Sequence, residues 1–359
     1  MRNSTLLVVG NRSSGKSKLL DSFHSKFSNR QDATYSSSPS EHDAPDASGS
    51  PLRYSFLPAI HPNDDDADID TAATCDVWCL SNPKHGRFLD VALRKDALDR
   101  GLAVVVVLDF QRPATIVSSL EEWLATIVAE MKSRLEQHPD RSDLLQRNED
   151  FVRLYRVNNV NNSAAKDSSS SAASVIGSDD ASQANSLATA AIDLAEGVLT
   201  TNCGVPIIVV CNKTDVIGDG DMTMAAADHV QRKIREVCLA HGAALVFASS
   251  KHKTQTDLLH RYVLHRLYPA HFPFDDAAEV VDGKNIFIPS GWDSLALVED
   301  LEIDKSIDLS KCGKPPVGES ARSGACIFFY SLLIVYFHIL FIVSHSFYST
   351  TFFSPLPCP

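Results

Sequence analysis

Short apolar runs alternate with amphipathic stretches along most of this chain. Thr5–Val9, Cys75–Leu80, Ala103–Leu108, Pro206–Cys211 and Ala244–Ala248 are each of strand length. Apolar side chains on successive positions predict strands buried on both faces, as in a parallel sheet. Between these runs the period changes to that of a helix. Leu19, Leu20 and Phe23 share a face within Ser17–Phe23. Leu120, Trp123, Leu124, Ile127, Val128, Met131 and Leu135 trace a long helix, with Ser118 and Glu121 spaced as a capping box at its start. Two more stripes follow. Val230, Ile234, Val237 and Cys238 lie within 225–240, and Leu258, Leu259, Tyr262, Val263 and Leu267 within 256–267. Strands alternating with helices predict an α/β fold with a doubly wound, mostly parallel sheet.

Two stretches break the pattern. Residues 28–73 are rich in Ser, Pro and Asp, and 158–185 in Ser, Ala, Asn and Asp. Neither can bury enough apolar surface to offset its ordering entropy, so both are read as mostly disordered insertions. The globular part is then 1–27, 74–157 and 186–300, with a linker over 301–322. Residues 323–359 differ again. They contain no Asp, Glu, Lys or Arg, and Ile327–Val343 is apolar over about the shortest length that spans a bilayer. This tail is read as sequence foreign to the working protein, as a membrane anchor with Lys311, Lys314 and Arg322 on its cytosolic side, or as a buried helix. The first strand begins almost at Met1, so no cleavable signal peptide is expected.

The net charge of −12 argues against nucleic-acid binding. Part of it is local, in the run Asp64, Asp65, Asp66, Asp68 and Asp70, read as a solvated loop. The eight cysteines are scattered without metal-ligand spacing and fit reduced thiols in the cytosol. Cys75 and Cys79 fall on one face of their strand, which suits packing.

The candidate chemistry lies at the ends of the strands. Gly10, Asn11, Arg12, Ser13, Ser14, Gly15, Lys16 and Ser17 spell a complete phosphate-binding loop between a strand and a helix. Its glycines let backbone N–H groups turn toward a phosphate, and the helix N-terminus adds positive potential. Lys16 can reach the terminal phosphates, and the Ser17 hydroxyl can take Mg²⁺. After the fourth of these strands come Asn212, Lys213, Thr214 and Asp215, the Asn-Lys-x-Asp pattern whose aspartate accepts the N–H groups of a guanine edge. After the fifth come Ser249, Ser250 and Lys251, resembling the loop that backs the base in Ras-like proteins. Ligands of open α/β sheets bind at these carboxyl ends. A nucleotide, guanine or adenine, is therefore the expected cofactor, with Mg²⁺ if it is bound.

The remaining parts of a GTPase do not follow. The strand Cys75–Leu80 leads into Ser81, Asn82, Pro83 and Lys84, without the Asp and Gly that hold Mg²⁺ through water and sense a γ-phosphate. No glutamine follows to position water, and Thr34 is the only threonine between Asn29 and Asp70. The pocket is read as non-catalytic, holding nucleotide weakly or as a structural part. Two other readings stay open: an active Ras-like switch, and a tail-anchored membrane GTPase.

Several long stretches resemble the light intermediate chains of cytoplasmic dynein. They are Asp76–Leu80, Val104–Pro113, Gly204–Asp215, His241–Lys251, Asp257–Tyr268 and Lys314–Val317. The most specific is Asn285–Ser294, with its Gly291-Trp292-Asp293, which ordinary GTPases lack. Trp292 is expected to dock on its own domain or on a partner. The resemblance covers roughly residues 1–317 and implies a Ras-like P-loop domain. It also implies a non-motor subunit that binds the dynein heavy chain, meets cargo adaptors and reaches microtubules only through the motor. Its expected place is the cytoplasm and the microtubule cytoskeleton. The sequence departs from that family at Ser81 and Asn82, where Asp-Gly is usual, and in its apolar tail.

Overall fold

The computed structural model describes residues 3–28, 51–60, 73–94, 96–166, 193–219, 222–301, 304 and 306–313. A seven-stranded sheet runs β2-β3-β1-β4-β5-β6-β7. Its strands are β1 (Ser4–Val9), β2 (Leu52–Pro58), β3 (Thr74–Leu80), β4 (Leu102–Asp109), β5 (Ile207–Asn212), β6 (Ala244–Ala248) and β7 (Phe287–Ile288). The inner five are parallel. The two edge strands, β2 and β7, run antiparallel to their neighbours. This is the mostly parallel α/β sheet that the alternation predicts.

Both faces of the sheet are covered. Successive residues of a strand point to opposite faces, and the two cores divide accordingly. Leu7, Val9, Val104 and Val106 pack under Trp123 and Ile127 of α4 (Pro113–Glu136) and under Val230 and Ile234 of α6 (Met224–His241). Leu6, Val8, Val105 and Val107 pack under Leu19 and Phe23 of α1 (Lys16–Ser28) and under Leu259 and Tyr262 of α7 (Lys253–Leu267). Burying each such side chain is worth roughly 1.5–3 kcal/mol, which explains why local pattern and final position agree so well here. Cys75 and Cys79 are both buried in the second core as free thiols.

Four features differ from the sequence reading. First, 28–73 holds a strand. In β2, Leu57 is buried while Tyr54 and Phe56 are exposed, so the segment gains a partner in β3 without a large apolar face. Second, α4 starts at Pro113, whose missing N–H costs nothing in the first turn. Ser118 lies inside that helix, and its hydroxyl donates to the Thr115 carbonyl at 3.0 Å instead of capping it. Third, α5 (Arg141–Lys166) runs into the second predicted insertion. Fourth, the short strand β7 closes the edge beside β6. The remainder of the two insertions and the apolar tail 323–359 lie outside the described residues. Among the described residues no helix is long and apolar enough to cross a membrane.

Candidate nucleotide site at the carboxyl edge of the sheet

Parallel register brings the three sequence motifs to one edge. Asp109 stands beside Asn212, and Asn212 beside Ala248, across β4, β5 and β6. The phosphate loop leaves β1 next to them. The Gly15 backbone has φ +91°, and a Cβ there would lie 2.2 Å from Asn212 Nδ2. Only glycine meets both demands. Gly10 sits as tightly against the Val107 carbonyl.

Asn212 is buried and joins two of the motifs. Its Nδ2 donates to the Ser14 carbonyl at 2.9 Å, and its Oδ1 accepts from the Lys213 N–H at 2.9 Å. Lys213 takes a left-handed conformation, φ 66°, and returns across the loop. Its ammonium lies 2.6 Å from the Ser13 carbonyl and 2.9 Å from Asp109 Oδ2. Lys16 is buried, with Nζ 2.7 Å from the Gly10 carbonyl and 2.8 Å from the Asn11 carbonyl. Arg12 and Ser13 are exposed, and Arg12 lines a small pocket with Asp109, Arg112 and Ser119. Ser14 is buried at the base of the loop.

At the base-binding side, Asp215 Oδ1 accepts from Ser249 Oγ at 2.8 Å, and Oδ2 pairs with the Lys251 ammonium. Burial opposes ionisation of Asp215, but the hydrogen bonds from Lys251 and Ser249 outweigh it and hold the carboxyl below the ordinary aspartate range. Lys251 shifts the opposite way, upward, through the same bond. Ser250 is an exposed turn residue. The aspartate is thus ionised and oriented by its neighbours, as an acceptor of base N–H groups needs to be.

Several contacts that shape the site are not written in the motifs themselves. Asn11 anchors the phosphate loop to α4. Its Nδ2 donates to Ser119 Oγ at 3.0 Å, and its Oδ1 accepts from the buried Trp123 indole at 3.0 Å. Gln255 accepts from the Ser249 N–H at 2.9 Å and so shapes the third loop. Thr214 bonds the Ala248 carbonyl at 3.3 Å. Asp109 could have been suspected as a carboxylate at the C-terminal end of a parallel strand. Arg53 gave no signal. It reaches from β2, and its Nη2 donates to Ser17 Oγ at 2.6 Å.

The donor set fits a nucleotide better than it fits Mg²⁺. A Cβ would fill the cradle at Gly10 and Gly15, and the ionised Asp215 is held in place. The Ser17 hydroxyl, expected to take Mg²⁺, is engaged by a guanidinium. β3 ends at Leu80 and is followed by Ser81 and Asn82, whose Oδ1 accepts from the Lys84 N–H at 2.9 Å.

The Gly-Trp-Asp segment lies away from these loops and docks on its own domain. Gly291 has φ +91°, and a Cβ there would lie 2.3 Å from the Val152 carbonyl of α5. Trp292 packs against the first core with the Arg235 guanidinium 6.0 Å from its ring. Asp293 is paired with that same arginine.

The model for the dynein light intermediate chain family matches residues 2–304. Cytoplasmic dynein 1 light intermediate chain 1 from Homo sapiens is 31% identical over 255 residues, covering 68% of this chain and 45% of that protein. The counterpart from Dictyostelium discoideum is 32% identical over 117 residues, 31% of this chain and 23% of that protein. This chain therefore matches under half the length of these relatives. In fold it is similar to a crystal structure of the dynein light intermediate chain's conserved domain, with a TM-score of 0.53 at 16% identity, covering 89% of this chain and 95% of that one. The fold, the three loops at one sheet edge and the match over residues 2–304 together place this chain in the dynein light intermediate chain family.

Proposed function

We propose that this chain is a non-catalytic subunit of a cytoplasmic dynein complex. Its domain binds the tail of the heavy chain and couples the motor to cargo, through cargo adaptors, for minus-end transport on microtubules in the cytoplasm. The phosphate loop holds a nucleotide as a structural part, and the chain itself does not hydrolyse it. Membership of the family supports the partner.

One observation carries the non-catalytic reading: the segment after β3 is built into the domain. In a GTPase switch this segment must move with the γ-phosphate. Here Pro83–Phe88 is a 3₁₀ helix capped by Asn82, α2 (Leu89–Ala92) follows directly, and α3 (Ala97–Arg100) precedes β4. Leu89, Ala92 and Leu93 are buried in the first core. Arg134 of α4 clamps the segment further, donating to the Leu93 carbonyl at 2.8 Å and to Asp90 at 2.9 Å. Moving it would expose those side chains, at roughly 1.5–3 kcal/mol each.

The test is co-expression of the full chain with a heavy-chain tail fragment, followed by affinity recovery and a single-turnover GTP assay. The expected result is recovery of the fragment and hydrolysis no faster than buffer. Robust hydrolysis that Lys16→Ala abolishes would overturn the non-catalytic reading. Failure to recover the heavy-chain fragment would overturn the proposed partner.

A further inference from the structure

Arg53 reaches the hydroxyl that a phosphate loop ordinarily turns toward a metal ion. It comes from the edge strand β2, opposite Cys79 of β3, and its terminal nitrogen is 2.6 Å from Ser17 Oγ. Ser17 is the second residue of α1, the hydroxyl that a P-loop directs at Mg²⁺. To ligate Mg²⁺ at about 2.0–2.1 Å, that oxygen must turn a lone pair to the ion. Arg53 engages the oxygen as acceptor and adds a fixed positive charge that repels a dication. Among the described residues Arg53 has no carboxylate partner.

Among the described residues, two carboxylates at the carboxyl ends of the strands already have partners. Asp109 accepts from Lys213 at 2.9 Å, and Asp215 from Ser249 and Lys251. Ser81 and Asn82 follow β3 in place of an acid. A lone hydroxyl already held by a guanidinium is a poor ligand for a hard dication. A phosphate has partners here: the loop amides, the Lys16 ammonium and the five-donor fork of a guanidinium, the geometry best matched to phosphate oxygens.

We propose that Arg53 replaces Mg²⁺ as the counter-cation of this loop, so that the site takes a nucleoside diphosphate without any divalent metal. The proposal rests on the nucleotide reading of the site. Binding without a metal, rather than charge alone, favours the diphosphate over the triphosphate. Lys16 and Arg53 supply two positive charges beside the loop, whereas a triphosphate brings a further negative group that Mg²⁺ ordinarily shares. Arg53 is a binding residue, and β2 becomes part of the site through it.

The experiment is a titration of the full chain with fluorescently labelled GDP, in excess EDTA and in excess Mg²⁺. The wild-type affinity is expected to differ by less than about twofold between the two conditions. Arg53→Ala is expected to lose about tenfold or more in EDTA, the usual scale of one charge-assisted hydrogen bond. Arg53→Lys, which keeps the charge, is expected to retain metal-independent binding, more weakly than wild type. A wild-type affinity that falls tenfold in EDTA overturns the proposal, as does an Arg53→Ala variant that binds like wild type in EDTA. The wild-type comparison decides even if a variant fails to fold. Absence of GDP binding in both conditions overturns the nucleotide reading itself, a different failure from metal-dependent binding.

Discussion

Arg235 of α6 holds Asp293 through two hydrogen bonds of 2.8 Å, with both side chains nearly buried. This pair fixes the segment that follows β7 against the helix that covers the sheet. Removing one member leaves a buried charge without its counter-ion, which costs far more than the net worth of the pair. Asp293→Ala is therefore expected to lower stability by about 3–5 kcal/mol. Replacing both residues by apolar ones of similar volume is expected to recover much of that loss. Thermal or urea unfolding of the three proteins checks this, and a single-variant loss below about 1 kcal/mol would count against it.

Trp292 lies half-buried on the first core beside Arg235. Trp292→Ala is expected to cost about 2–3 kcal/mol, less than a fully buried tryptophan. Recovery of a heavy-chain fragment is expected to fall with it, because the segment is part of the domain's packed surface. Wild-type recovery together with an unchanged melting temperature would show that the segment is idle.

Asn11 joins the phosphate loop to Ser119 and to the Trp123 indole. Asn11→Ala strands the Trp123 N–H in the core, at about 1–3 kcal/mol. The expected signs are a lower unfolding midpoint and a change in tryptophan emission. Asn11→Asp, which keeps the acceptor for the indole, is expected to fall between the variant and wild type.

Asp215 carries a pH signature. Burial raises its pKa, and the bonds from Lys251 and Ser249 lower it by more, so the folded value lies below the unfolded one. A carboxyl lowered in this way stabilises the fold fully above its ordinary value of about 3.9 and loses that contribution as pH falls through the lower, folded value. A carbon-13 titration of the Asp215 carboxyl in wild type and in Lys251→Ala tests the cause. The midpoint is expected to rise in the variant. An unchanged midpoint would mean that Lys251 does not pair with it in solution.

Lys16→Ala is expected to weaken labelled GDP binding by tenfold or more, the scale of a lost charge-assisted contact to phosphate. Heavy-chain recovery is expected to stay near wild type, since Lys16 is buried under the loop and away from the Gly-Trp-Asp segment. Parallel titration and affinity recovery of one preparation separate the two effects.

The sequence by itself determined the five parallel strands, the helices α1, α4, α6 and α7 in outline, and the three loops at the sheet edge. The reason is that Leu6 to Val9 or Leu120 to Leu135 report their own burial through period alone, and Gly15 is written into its loop by a backbone angle. The sequence also marked Gly291-Trp292-Asp293 as distinctive without saying what each residue touches.

Tertiary structure decided the rest. Leu52–Pro58 alternates weakly, and its outward Tyr54 and Phe56 hide the strand until β3 supplies its hydrogen bonds. The α4 boundary moved from Ser118 to Pro113 because the first turn is set by Pro113 after Asp109, not by the capping pattern further along. Asn11 meets Trp123, Arg235 meets Asp293 and Arg53 meets Ser17 only because parallel register and an antiparallel edge bring distant positions to one place. Such pairings depend on which strands neighbour each other, and a local pattern of apolar and polar residues carries no record of that order.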